Sequence, residues 1–265
     1  MSKEFEAATS VPVLMYHRVD LHSHDDDMLC VSPQQFESHL DWLAMNDYQP
    51  CSVADFEAWF AKGKALPRRS VLITFDDGYA CLHEHALAAL AARGWPATVF
   101  LVSGLIGRDD DWRPTTAGHA KRLPLLAQAQ VVEMARHGFD FHSHSHTHAD
   151  LPTLADDALR TQIRSSREDL QDLLGSAVSY FAYPYGRFDA RVQRAVEAAG
   201  YRLAFSVRSG FNHAGVDRLA LRRLDITRLD NRARFGRKVA LGTNDGSLPA
   251  YGRYLMGRLR ARLQP

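Results

Sequence analysis

The chain has 265 residues, 46% of them hydrophobic and 24% charged, the balance of an ordinary soluble globular protein. A formal net charge of +1 without a long basic block excludes a global electrostatic pull towards nucleic acid. Cys30, Cys51 and Cys81 form an odd, scattered set with no C-x-x-C pair, which argues against a disulfide framework and fits a reducing compartment. Residues 1–6 lack the apolar stretch of a secretory signal, and no run approaches a membrane span. A cytoplasmic location is therefore expected, although a trimmed start would read the same.

In chain order, residues 11–16 are a short apolar run that reads as a strand and delivers His17 at its end. Ser32-Pro33 opens a helix with Phe36, Leu40, Leu43 and Ala44 at helical spacing, and a second helix covers about 53–60. Val71-Leu72-Ile73 is the central strand and leads into Thr74-Phe75-Asp76-Asp77-Gly78. Residues 80–93 carry Leu82, Ala86, Leu87 and Leu90 on one helical face, with Gly94 as the stop. Residues 97–102 form the third strand, followed by a long polar connection, 103–123, that contains Asp109-Asp110-Asp111-Trp112. A connection of that length in a compact domain is usually functional or poorly ordered. A helix over 125–136 precedes the strand 139–141, which runs into His142-Ser143-His144-Ser145-His146-Thr147-His148. The longest helix, 154–174, ends at Gly175; strand 180–183, helix 190–199 and strands 203–207 and 219–226 follow. This alternation of about seven strands with helices predicts a parallel α/β sheet, closed or doubly wound.

In such folds, ligands bind at the carboxyl ends of the strands. His17, Asp76, Asp77, the histidine cluster, Tyr185 and Asp225 all fall at or just past such ends. Adjacent carboxylates at a strand end cannot both point the same way, so one can bind a metal while the other stays free as a base. Asp-Asp-Gly by itself reads equally as a helix cap and a turn; the histidine cluster shifts that balance. Imidazole and carboxylate are the ligand set of Zn²⁺ and its first-row neighbours Co²⁺, Ni²⁺ and Fe²⁺, and such an ion activates water and polarises a carbonyl. A second carboxylate beside it can take the water's proton. The single histidines His39, His83 and His85 read as helix-surface residues.

Thr74-Phe75-Asp76-Asp77-Gly78 together with His144-Ser145-His146-Thr147-His148 resembles the polysaccharide deacetylase family, the NodB-homology carbohydrate esterases, which pair T-F-D-D-G with H-[ST]-x-x-H. Residues 11–17, Leu66-Pro67 and Phe181-Ala182-Tyr183-Pro184-Tyr185-Gly186 resemble the subgroup that acts on exopolysaccharides and surface glycans. The resemblance runs over roughly residues 11–240 and implies a distorted (β/α) barrel, so the chain divides into a barrel over 1–242 and a basic amphipathic tail over 243–265. It also implies a metal-dependent hydrolase that removes N-acetyl groups from a sugar, oligosaccharide or lipid-linked glycan.

Carried over residue by residue, Asp76 resembles the general base and Asp77 the metal-binding carboxylate. The histidines offer two registers, His142 with His146 and His144 with His148. The continuation His148-Ala149-Asp150-Leu151, similar to the family's H-P-D-L, and the preceding Gly138-Phe139-Asp140-Phe141 select His144 and His148 as metal ligands. Pro184-Tyr185 resembles the motif whose backbone N–H after the proline holds the oxyanion, which implies that role for Tyr185. Two features depart from the family. Ala182 stands where many members have an arginine that steadies the base, and residues 221–226 lack the histidine of the L-x-H motif that serves as acid. His17 is the candidate acid in its place, with Asp225 to steady it. Trp112 and Tyr183 are candidates for sugar contact beside Asp225, although a core role is commoner for aromatic residues.

A non-catalytic carbohydrate-binding barrel, and a hydrolase of another C–N bond, remain alternatives at this stage. From Pro249, the tail places Tyr251, Leu255, Leu259 and Leu263 at i, i+4 spacing among Arg253, Arg258, Arg260 and Arg262. Such a segment either packs on the barrel or makes peripheral contact with a membrane surface.

Overall fold

The computed structural model describes residues 7–21, 27–112 and 122–263. Among the described residues, seven short strands make the main path of the central sheet: β1 (Val13–Tyr16), β2 (Ser70–Phe75), β3 (Ala97–Leu101), β4 (Phe139–Ser143), β5 (Tyr180–Ala182), β6 (Leu203–Phe205) and β7 (Leu224–Asp225), with Gln49–Pro50 pairing alongside β2 off that path. They lie in the order β7-β1-β2-β3-β4-β5-β6, each neighbouring pair parallel. The segment leading into β7 also reaches back to β6 through a parallel bridge between Phe205 and Leu221. Ser206 N–H donates to the Leu221 carbonyl (2.8 Å), and Leu221 N–H to that of Ala204 (2.9 Å). The curled sheet is therefore drawn round into the distorted barrel expected from the sequence.

Every residue of β1, β2 and β3 is buried, as strands covered on both faces must be. Strand alternation divides them into two sets. Leu14, Ile73, Val99, Phe141 and Phe181 face the helices and join the larger apolar cluster. Val13, Leu72, Phe100, Ala182, Phe205 and Leu221 fill the barrel interior, closed at one end by Phe56. The inward phase continues upward from Leu72 through Thr74 to Asp76, and from Val13 through Met15 to His17. Polar residues thus replace apolar ones where the interior reaches the carboxyl ends of the strands.

The surrounding helices are α1 (Pro33–Met45), α2 (Val53–Lys62), α3 (Leu87–Ala91), α4 (Gln128–Arg136), α5 (Asp156–Leu174), α6 (Ala190–Ala198), α7 (Arg232–Leu241) and α8 (Leu248–Leu263). Ser32 and Gln35 cap α1 reciprocally, and Ser52 caps α2. Two helices differ from expectation. The segment before α3 winds as a π-helix over Leu82–Ala86. The helix expected from residue 125 starts at Gln128, because Leu125 and Leu126 donate their N–H groups to the Arg108 and Gly78 carbonyls instead.

His39 is a correction. Expected on a helix surface, it is fully buried and stacks on Phe235 at 4.2 Å. Its Nε2–H donates to the Asp230 carbonyl, and its Nδ1 accepts from the Tyr16 hydroxyl (3.1 Å), which together define a neutral ring. No helix among the described residues is long and apolar enough to cross a membrane. Helix α8 leaves Leu248, Tyr251 and Met256 exposed.

Burial lowers the His39 pKa to about 4, against hydrogen bonding and charge from Asp230. The unfolded chain therefore binds a proton there that the folded chain refuses, so stability is complete above about pH 6.5 and falls as the pH drops towards 4. The difference corresponds to roughly 3 kcal/mol. Denaturant unfolding across this window should show that slope, and His39→Gln, which cannot titrate, should flatten it.

Candidate active site

At the end of β2, Asp76 continues the ladder by donating its N–H to the Tyr16 carbonyl (2.9 Å). The chain then turns through two left-handed residues, Asp77 (φ 71°) and Gly78 (φ 78°). A Cβ at Gly78 would lie 2.4 Å from Leu101 Cδ2, so a side chain there would have to displace Leu101 as well as strain the backbone. This turn separates the two carboxylates. Asp76 points into the barrel interior and Asp77 points towards the histidine loop.

Asp76 is held by Arg223 through two parallel bonds, Nη1 to Oδ1 at 2.6 Å and Nη2 to Oδ2 at 2.7 Å. Arg223 is fully buried, with its Nε donating to the Ser206 carbonyl (3.0 Å) and its guanidinium 5.7 Å from the centre of the Phe100 ring. Burial alone would raise the Asp76 pKa. The Arg223 charge, with His144, outweighs it and holds the carboxyl below its ordinary value. Sequence reasoning missed Arg223, having looked for an arginine at the position of Ala182. A signal was available: in Leu221-Arg222-Arg223-Leu224-Asp225, Arg223 shares the inward phase of Leu221, where a guanidinium has to find a carboxylate.

Asp77, His144 and His148, all buried, bring one ligand atom each to within 4.8 Å of one another. Asp77 Oδ1 lies 3.3 Å from Nε2 of each histidine and has no hydrogen-bond donor among the described residues. His144 Nδ1–H donates to the Ala182 carbonyl (2.8 Å), which leaves the lone pair of Nε2 facing the carboxylate. An acceptor facing an acceptor in a buried pocket is relieved by a cation between them, which a metal ion can supply. The residues therefore fit a divalent metal, and the carbonyl-anchored imidazole is the usual outer support of such a ligand. Against the cost of burial, the two histidines beside it hold the Asp77 pKa well below its ordinary value.

The histidine loop is shaped by left-handed residues at Ser145 (φ 68°) and His148 (φ 57°). Ser145 Oγ accepts from His148 N–H (3.0 Å), and α5 braces the loop from outside. Gln162 bonds Thr147 at both its backbone N–H (2.9 Å) and its hydroxyl (2.8 Å), and Ser166 bonds Ser143 (2.7 Å). His146 turns away to Asp169 and Ser103. His142, one inward step below His144, packs edge-on against Tyr180 at 4.4 Å, and burial lowers its pKa to about 3. The alternative register is therefore not the one that converges on Asp77.

The remaining candidates divide. Tyr185 is half exposed, takes a left-handed backbone (φ 57°) and sets its ring edge-on to His148 at 4.4 Å. Trp112 stacks on the His148 ring, with centroids 4.3 Å apart and planes 23° apart. His17 lies within electrostatic reach of Asp76, Asp77 and Asp225, and its Nδ1 is buried without a partner among the described residues. Asp225 sits beside Met15 in the β7–β1 register; burial raises its pKa, against His17 and Lys238. Tyr183 is a correction. It falls in the outward phase, one residue from Ala182, where it is fully buried, stacked on Phe188 at 4.4 Å and bonded to the Leu219 carbonyl (2.9 Å), so it cannot meet a sugar.

Breaking a buried charge pair from one side leaves the other charge stranded, at a cost of about 3–5 kcal/mol. Arg223→Met should destabilise the fold by that order in chemical denaturation, and adding Asp76→Asn should recover much of the loss.

The polysaccharide deacetylase family profile matches residues 63–204. The Bacillus subtilis protein YxkH, which bears the name of a polysaccharide deacetylase, is 27% identical over 222 residues, covering 84% of this chain and 73% of its own. The poly-β-1,6-N-acetyl-D-glucosamine N-deacetylase of Escherichia coli K12 is 24% identical over 232 residues. That match takes in 76% of this chain and 34% of the relative, so the chain spans about a third of that relative's length. The structure of the Streptococcus pyogenes deacetylase PplD in complex with acetate shares the fold, with a TM-score of 0.74 at 24% identity over 85% of this chain and 96% of that one. The matched stretch includes Asp76, Asp77, His144, His148 and Tyr185 and ends before Arg223 and Asp225. Because it spans more than half of the chain, this chain belongs to the polysaccharide deacetylase family, hydrolases that cleave C–N bonds.

Proposed function

We propose that this chain removes N-acetyl groups from a glycan or glycan precursor rich in N-acetylhexosamine, with a divalent metal as cofactor. The observation that carries this reading is the convergence of Asp77, His144 and His148 beside a second carboxylate held by its own guanidinium. The E. coli relative named for poly-β-1,6-N-acetyl-D-glucosamine supports the substrate class. Two imidazoles and one carboxylate suit Zn²⁺ with positions left open; Co²⁺, Ni²⁺ and Fe²⁺ accept the same donors. When bound, such an ion polarises a carbonyl and makes coordinated water more acidic.

The chain's own residues then divide the work. Asp76, kept ionised and oriented by Arg223, accepts the proton of the water that attacks the acetamide carbonyl. Tyr185 N–H, presented by its left-handed turn, donates to the oxygen on which charge develops, a contact of the kind worth about 3–4 kcal/mol of barrier. His17 gives a proton to the amine nitrogen as the C–N bond breaks, with Asp225 as its neighbour. The products are acetate and a free amine. No covalent acyl-enzyme is required.

Acetate release should be measured on a panel of N-acetylated sugars, nucleotide sugars and oligosaccharides, with metal-stripped, Zn²⁺-restored and Asp76→Asn protein. Release that needs metal and falls by at least about 100-fold in Asp76→Asn is expected, the size of a general-base effect. Stoichiometric metal with sugar binding and no release from any substrate would instead indicate a binding barrel.

We also propose that α8 rests on an anionic lipid surface. It leaves Leu248 and Met256 exposed, and the chain from Pro249 onward carries arginines but no acidic residue. Phosphatidylglycerol vesicles should sediment the full chain and leave a chain ending at Gly242 in solution; equal sedimentation of the two would remove this role.

A further inference from the structure

The two histidines of the candidate metal site are supported in different ways. Metal-ligating histidines almost always donate their second ring N–H to an oxygen, which fixes tautomer and orientation. His144 does so through the Ala182 carbonyl at 2.8 Å. His148 does not: its Nδ1 is buried and has no hydrogen-bond partner among the described residues. What surrounds the His148 ring is aromatic. The Trp112 indole lies nearly parallel to it at 4.3 Å, and the Tyr185 ring meets it edge-on at 4.4 Å.

Trp112 is itself held in place. Two residues before it, the fully buried Asp110 accepts from Leu123 N–H (3.1 Å) and from the Tyr79 hydroxyl (3.2 Å), while Asp110 N–H donates to the Leu123 carbonyl (2.9 Å). These bonds tie together the two described ends of the long connection. Trp112 also packs against the small apolar cluster of Tyr79, Val102, Leu105 and Leu125, with its indole 6.3 Å from the Tyr79 ring. The backbone of His148 is left-handed, a conformation that persists only where surroundings over-determine it.

We infer that Trp112 is a positioning residue for His148, its stacked indole replacing the hydrogen bond that would otherwise orient this metal ligand. The inference rests on the metal-site reading above, and it differs from the sugar-platform role expected for Trp112 from the sequence. The orientation of one ligand is thereby tied to the connection between β3 and α4, so that a change at Trp112 reaches the metal before it reaches the sugar.

The test is Zn²⁺ affinity, by competition with a chromophoric chelator, for wild type, Trp112→Ala, Trp112→Phe and Asp77→Asn, with the absorption of the Co²⁺-substituted proteins as a second readout. Loss of outer support for a ligand histidine typically costs 10–100-fold in affinity. Trp112→Ala is expected to weaken Zn²⁺ by at least about tenfold and to alter the Co²⁺ spectrum, while KM at saturating metal stays within about threefold. Trp112→Phe, which keeps an aromatic face, should restore most of the affinity. Unchanged affinity and spectrum with a raised KM would overturn the inference and return Trp112 to the sugar. Zn²⁺ binding by wild type that is absent, or indifferent to Asp77→Asn, would instead sink the metal site itself and this role with it. If Trp112→Ala does not fold, Trp112→Leu, which fills the space without a ring, replaces it, with the same outcomes deciding.

Discussion

A carboxylate buried in a barrel interior must be paired or neutralised, and the pairing of Asp76 with Arg223 is the constraint on which the upper end of this barrel rests. The pair gains little net stability for its desolvation, and its value lies in direction. Two parallel bonds fix both oxygens of Asp76, which leaves the carboxylate charged and immobile beside the histidine loop. Arg223 is anchored in turn by the Ser206 carbonyl and the Phe100 ring, so the strands on either side of the barrel closure are tied to the end of β2.

Backbone strain gathers at the same pole. Asp77, Ser145, His148 and Tyr185 are four of the five non-glycine residues with positive φ among the described residues, and all lie in or against the candidate metal site. Each such residue costs on the order of 1–3 kcal/mol unless its surroundings hold it, and here the surroundings are visible. Gly78 lets the chain pass Leu101, α5 braces the histidine loop through Gln162 and Ser166, and the rings of Trp112 and Tyr185 enclose His148. Left-handed turns at Asp77, Ser145 and His148 aim the carboxylate and the two histidines at one another. The fold spends part of its stability on those bends.

Much of this architecture was legible beforehand. Alternating apolar runs and glycine stops marked seven strands and most helices, and the D-D-G and H-S-H-T-H clusters marked the site, because such patterns are local consequences of side-chain periodicity and ligand chemistry. The choice between the two histidine registers leaned on resemblance and agrees with the geometry, in which His146 turns to Asp169 and His142 lies below against Tyr180. What escaped notice was set by phase and by distance along the chain. Tyr183 differs from a site residue by one position in a strand, which sends it beneath the helices. His39 looked like any exposed helix histidine until Tyr16, Asp230 and Phe235 were seen to enclose it.

The sequence by itself determined the alternating α/β class, the strand ends at which chemistry gathers, and the residue types able to bind a metal and move a proton, because each depends on neighbours within a few positions. Only the tertiary structure decided which guanidinium holds Asp76, which way each histidine of the loop turns, and which aromatic ring meets His148. Asp76 and Arg223 are 147 positions apart, and their meeting depends on the sheet curling until the segment before β7 stands across the interior from β2. That closure is a property of the whole barrel, and no local pattern encodes it.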